Sequence, residues 1–164
     1  MDALQAIKER RSVRKYLDRE IPKKILEDLV DCGRLAATAR NAQPWEFVVV
    51  TDKQKLKQIS DITSHGKFIA NSAACIAVFG KKDATYFLED GSAATQNILV
   101  ASKAHNLGSC WVAGYGKDYA EDIKKILSVP EEYTLVSLIS LGYPAEYPSK
   151  SKRSLEEVLH WEQF

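Results

Sequence analysis

Seven consecutive residues, Arg10-Arg11-Ser12-Val13-Arg14-Lys15-Tyr16, carry four cations and a serine hydroxyl at the end of a predicted short helix. Arginine forks make paired, charge-assisted hydrogen bonds to phosphate, and serine adds a neutral donor. If the stretch is extended, Ser12, Arg14 and Tyr16 face one way and Val13 and Lys15 the other. One phosphate and one flat polar ring could then be served from a single segment. The plainer alternative is a solvated basic turn whose charges cap the helix C-terminus.

Three further clusters could carry chemistry. Asn41-Ala42-Gln43-Pro44-Trp45 leads into an apolar run. Its two amides offer donors and acceptors suited to a heterocycle edge, and Pro44 stiffens the entry into the sheet. Gly108-Ser109-Cys110-Trp111-Val112-Ala113-Gly114 reads as a strand closed by a glycine, where backbone N–H groups can approach a ligand. It is no dinucleotide fingerprint, because Tyr119 stands where the third glycine would fall. Lys150, Lys152 and Arg153 form a basic tail that could close a second clamp on a phosphate.

These residues must be positioned by an ordinary globular chain. A net charge of +1 gives no global attraction to nucleic acid or to an anionic membrane surface, so any basic patch is local. No apolar run reaches the roughly 18 residues that span a bilayer. The N-terminal residues do not read as a secretory signal, and a cytoplasmic location is expected. Cys32, Cys75 and Cys110 form no CxxC pair, and His65, His105 and His160 fall in no metal-binding spacing. No nucleophile stands with an evident general base.

The expected elements are helices at Ala3–Arg10, Pro22–Ala37, after Asp52, at Ala84–Asn106 and at Tyr119–Leu127. Strands are expected at Trp45–Thr51, Ala74–Gly80, Ser109–Ala113 and Thr134–Leu141, with a last helical turn at Leu155–Leu159. Gly108 sits where a helix-terminating glycine belongs. Helices and strands mix without regular βαβ alternation. The pattern predicts one α+β domain over residues 1–164: a three-layer α/β/α sandwich around a central mixed, mainly antiparallel sheet.

The four clusters together resemble the FMN-dependent nitroreductase family over essentially the whole chain. Residues 10–14 are similar to its opening R-R-S-x-R, and residues 41–45 to its N-x-Q-P-W. Leu107-Gly108-Ser109-Cys110-Trp111 is similar to its L-G-[ST]-x-W, with Asn106 in place of a preceding glycine. The resemblance implies an entwined homodimer with FMN at the subunit interface, NADH or NADPH as electron donor and a small-molecule electron acceptor. Arg10, Arg11 and Ser12 would then reach the phosphate and ribityl chain, and Arg14 the N1/O2 edge of the ring. Thr38, Ala39, Asn41 and Gln43 would come from the partner subunit. The backbone of Trp111, Val112, Ala113 and Gly114 would pass the N5/O4 edge, and Lys150, Lys152 and Arg153 would complete the phosphate site. The small residues between Gly91 and Ala101 would form much of the interface.

The chain departs from the family pattern in three ways. Ala37-Thr38-Ala39-Arg40 replaces a Pro-Ser-Ser stretch, which removes a hydroxyl and adds a cation. The amide expected before the second strand is replaced by His65, Gly66 or Lys67, of which Lys67 is the candidate ligand. At 164 residues the chain has no room for the helical excursion that narrows the pocket of longer members. The implied reaction is a ping-pong hydride transfer to nitroaromatics, quinones or flavins. An FMN-binding module without turnover, a flavin-fragmenting enzyme and a reductive dehalogenase are the alternatives.

Overall fold

Two aspartates start two of the helices by accepting backbone hydrogen bonds that the first turn leaves unmade. Asp2 accepts from Gln5 N to cap α1 (Ala3–Glu9), and Asp52 accepts from Lys55 N to cap α3 (Lys53–Ile62). Pro22 precedes α2 (Lys23–Arg34), and its carbonyl accepts from Ile25 and Leu26. The computed structural model describes all 164 residues. The remaining elements are β1 (Trp45–Val50), β2 (Ala74–Lys81), α4 (Phe87–Ala104), β3 (Gly108–Ala113), α5 (Ala120–Leu127) and β4 (Tyr133–Gly142). No helix is long and apolar enough to cross a membrane.

The four strands form one sheet in the order β1-β2-β4-β3, and every strand pairing is antiparallel. The expected mixed character is confined to a single parallel bridge between Ser12 and Ser109. β2 is buried along almost its whole length because it is central and covered on both faces. Its side chains alternate between two cores. Cys75, Ala77 and Phe79 join Leu56, Ile59 and Ile123 under α3 and α5, whereas Ile76 and Val78 join Leu29, Ile98 and Leu99 under α2 and α4. The three layers follow from that alternation.

Four local expectations are corrected. Asn106, at φ 58, takes the left-handed position after α4, so Gly108 is free to open β3. α1 stops at Glu9, one residue short of its expected end, and buries Ala6 alone. α2 ends at Arg34 and leaves Leu35 exposed. The tail makes one turn, with Val158 N and Leu159 N both donating to Leu155 O, and no helix forms over Leu155–Leu159. Too few residues are available there to offset helix nucleation.

Candidate active site

The basic segment is held down by two glycines. Gly108 and Gly142 are cross-strand partners at one end of β3 and β4. A Cβ on Gly108 would stand 2.7 Å from Val13, and one on Gly142 would stand 2.7 Å from the Tyr16 ring. The chain over residues 13–16 therefore lies directly on the sheet. Val13 N donates to Ser109 O, Leu17 N to Tyr143 O, and Arg14 N to Glu146 Oε1 at 2.8 Å. The simple alternation expected for an extended strand does not hold. Val13 and Tyr16 both turn inward, and the Tyr16 hydroxyl donates to Val13 O and pairs with Ser140 Oγ, each at 2.6 Å. Burial pushes the Tyr16 phenol well above its ordinary value, so it stays neutral as an anchor. Arg14 and Lys15 are left exposed.

The two arginines beside each other differ in what they do. Arg11 is already committed: its guanidinium donates to the carbonyls of Lys8, Arg10 and Lys150. It closes the end of α1 and ties the tail alongside. Arg10 lines a depression of about 540 Å³ with Lys8, Lys103, Ser109 and Ser149, and its guanidinium has no partner in the chain. Lys150 meets this cluster through its carbonyl, and Lys152 and Arg153 follow in exposed chain.

Arg14 borders two further depressions. One, of about 540 Å³, brings it together with Tyr16, Lys53 and Asn71. The other, of about 410 Å³, adds His65, Phe68, Cys110, Trp111 and Tyr119. The Arg14 guanidinium stands 5.8 Å from the Phe68 ring centre. Burial raises the Cys110 thiol, and the Arg14 charge opposes that rise. Lys67 is withdrawn from this group, because its ammonium donates to the Ser60 and Asp61 carbonyls at 3.2 and 2.7 Å. It thus satisfies carbonyls at the C-terminal end of α3. Asn71, the last residue of a 3₁₀ segment over Lys67–Asn71 and two residues before Ala73, is an amide that lines the same depression as Arg14.

Backbone groups at the end of β3 are partly used within the chain. The Tyr119 hydroxyl donates to Ala113 O. Gly114 is required by β4, since a Cβ there would meet Leu135 at 2.7 Å and the Val136 backbone at 2.9 Å. Trp111 and Ala113 are exposed, while Val112 is buried under α5.

Thr38, Ala39, Asn41 and Gln43 lie at another corner. Asp90, in the first turn of α4, accepts from Thr38 Oγ1 at 2.7 Å and from Ala39 N at 3.2 Å. Gln43 N donates to Thr38 Oγ1 at 3.0 Å. Strand register separates this loop from Ser12. Trp45 aligns through Gly80 with Thr134, whereas Ser109 aligns with Leu141. At ordinary sheet spacings the offset is about 20 Å along the strands and about 14 Å across them. One chain thus carries two separate polar clusters.

The fold is an α/β/α sandwich that carries a strip of cations and an amide at one end of its sheet. The chain belongs to the nitroreductase family, whose model matches residues 7–66 and 63–143. A Methanothermobacter thermautotrophicus protein provisionally named an NADH dehydrogenase/NAD(P)H nitroreductase is 34% identical over 169 aligned positions, covering 100% of this chain and 88% of its own. The FMN-dependent nitroreductase from Clostridium difficile superposes with a TM-score of 0.90 at 30% identity, covering 98% of this chain and 99% of its own. A provisionally named nitroreductase from Desulfovibrio desulfuricans, crystallised with FMN, gives 0.88 at 30% identity, with 100% and 98% coverage.

Proposed function

We propose that this chain is an FMN-dependent oxidoreductase that takes electrons from NADH or NADPH and passes them, in a ping-pong cycle, to a small acceptor such as a nitroaromatic, a quinone or a flavin. The carrying observation is the strip from Arg10 through Ser12 to Arg14 and Asn71. Neither Arg10 nor Arg14 forms an ion pair within its chain, although Glu9 and Glu146 line the depression beside Arg10 and Asp18 the one beside Arg14. Such a set fits a phosphate at one end and the polar edge of a ring at the other.

Arg10 and Ser12 would bind the phosphate and ribityl oxygens, with Lys150, Lys152 or Arg153 adding charge from the tail. Arg11 would act by ordering that tail. Arg14 and Asn71 would orient the ring edge, and the Arg14 cation would stabilise negative charge developing there. When bound, FMN supplies the hydride chemistry. The protonated, buried Cys110 and Tyr16 offer no competing nucleophile. Thr38, Ala39, Asn41 and Gln43 would complete the site from a second copy, giving a homodimer with FMN between subunits. The exposed tail supports that reading. Leu155 is 65% exposed, Trp161 77% and Phe164 fully, a cost in water that a partner surface would remove.

The visible spectrum of the purified protein, before and after anaerobic NADH, tests the proposal. Flavin bands at about 370 and 450 nm that bleach with NADH support it. A colourless protein that cannot be reconstituted with FMN overturns it.

A further inference from the structure

We infer that Asp90 is a positioning residue, holding the Thr38–Gln43 half-site in the conformation that meets the ligand. The inference rests on the proposed placement of Asn41 and Gln43 at the flavin. Asp90 is 6% exposed and has no cationic partner. A buried carboxylate is costly unless its lone pairs are used. Here one oxygen takes the Thr38 hydroxyl proton and the other takes the Ala39 amide proton. The start of α4 adds its partial positive charge. With its proton committed to Asp90, the Thr38 hydroxyl oxygen accepts from Gln43 N and so closes the loop at its base.

That loop needs holding. Arg40, Asn41 and Gln43 have φ of 55°, 55° and 48°, and none is glycine. Left-handed backbone is tolerated by Asn41 but unfavourable for Arg40 and Gln43, and it persists at these two only if the surroundings impose it. All three side chains are exposed, so the strain is not offset by core packing. What the relay secures is the direction in which Asn41 and Gln43 are presented. Only a carboxylate offers an acceptor to both donors. An asparagine would turn its NH₂ toward one of them.

The test uses the full-length protein with Asp90→Asn, Thr38→Val and Thr38→Ser. Amide exchange of Ala39 and Gln43 is read in the apoprotein by NMR, FMN affinity by fluorescence titration, and stability by the urea midpoint. Asp90→Asn and Thr38→Val should each raise exchange at Gln43 and weaken FMN binding by about tenfold, the worth of one lost hydrogen bond. Thr38→Ser, which keeps the hydroxyl, should hold Gln43 exchange and the urea midpoint close to the parent values. Unchanged Ala39 and Gln43 exchange in Asp90→Asn overturns the relay. Freed amides with unchanged FMN affinity overturn the positioning role. A parent protein that binds no FMN removes the functional reading itself, and the amide data still report whether the relay exists.

Discussion

Arg10 and Arg11 are identical in type and adjacent in sequence, yet only Arg10 keeps a free guanidinium. Arg10→Ala should therefore weaken FMN binding by about 1.5–3 kcal/mol, the range for a charged hydrogen bond. Fluorescence titration of the apoprotein measures it, and an unchanged affinity would remove Arg10 from the site. Arg10→Lys should recover only part, since a point charge cannot reproduce the two-pronged fork. From its residue types alone, the R-R-S-V-R run points to phosphate chemistry as an expectation. Which arginine is spent on backbone carbonyls depends on where α1 stops and where Lys150 returns, and a linear pattern does not carry that. The same limit applies to the amide expected before β2: Asn71 shares a depression with Arg14, whereas the Lys67 ammonium turns to carbonyls of α3. A second residue-level prediction concerns Cys75, fully buried, whose thiol is pushed up to about 12 by burial. A raised folded-state value means the unfolded chain releases its proton first. The contribution of this thiol to stability is intact below its ordinary value of 9.0 and lost as pH rises toward 12. Urea midpoints should fall across that window, and Cys75→Ala should flatten the fall.

Element boundaries were legible where apolar periodicity was strong. β1 through β4 and the long α4 all appear within a few residues of their expected limits. Small residues have more than one use. The resemblance assigns the stretch from Gly91 to a subunit interface, and Gly91 itself also has a use within the chain. A Cβ on Gly91 would stand 2.9 Å from Val136, which lies at the bulge where β4 carries one residue more than β2. Gly33 likewise lets α2 approach Ile98 on α4. Gly91→Ala should then destabilise by about 1–2 kcal/mol, because overpacking outweighs the roughly 1 kcal/mol gained in helix propensity. An unchanged or higher urea midpoint at constant m would show that Val136 can move aside. The position of Gly108 shows the same limit. Asn106 ended the helix, and the glycine was needed to let Val13 cross the sheet.

At the scale of the molecule, the cation strip and the amide loop lie at opposite corners of one sheet, about 20 Å apart along the strands. In the proposed homodimer, each FMN would take its cations from one chain and its amides from the other. This gives a prediction that a single-chain site cannot imitate. One variant carries Arg10→Ala and Arg14→Ala, and a second carries Asn41→Ala and Gln43→Ala. Each alone should bind FMN poorly, since every site in its homodimer lacks one half. In a mixed dimer, one site combines both damaged halves, and the other combines the intact arginines of the second chain with the intact amides of the first. Equal mixing after reversible unfolding should return FMN binding to about a quarter of all sites, because half the dimers are mixed and each holds one whole site. Binding to each variant alone, measured at the same FMN concentration, sets the baseline. If the arginines and amides acted within one chain, mixing would add nothing above that baseline. If the amide loop were irrelevant to the ligand, the second variant would already bind at full strength before mixing.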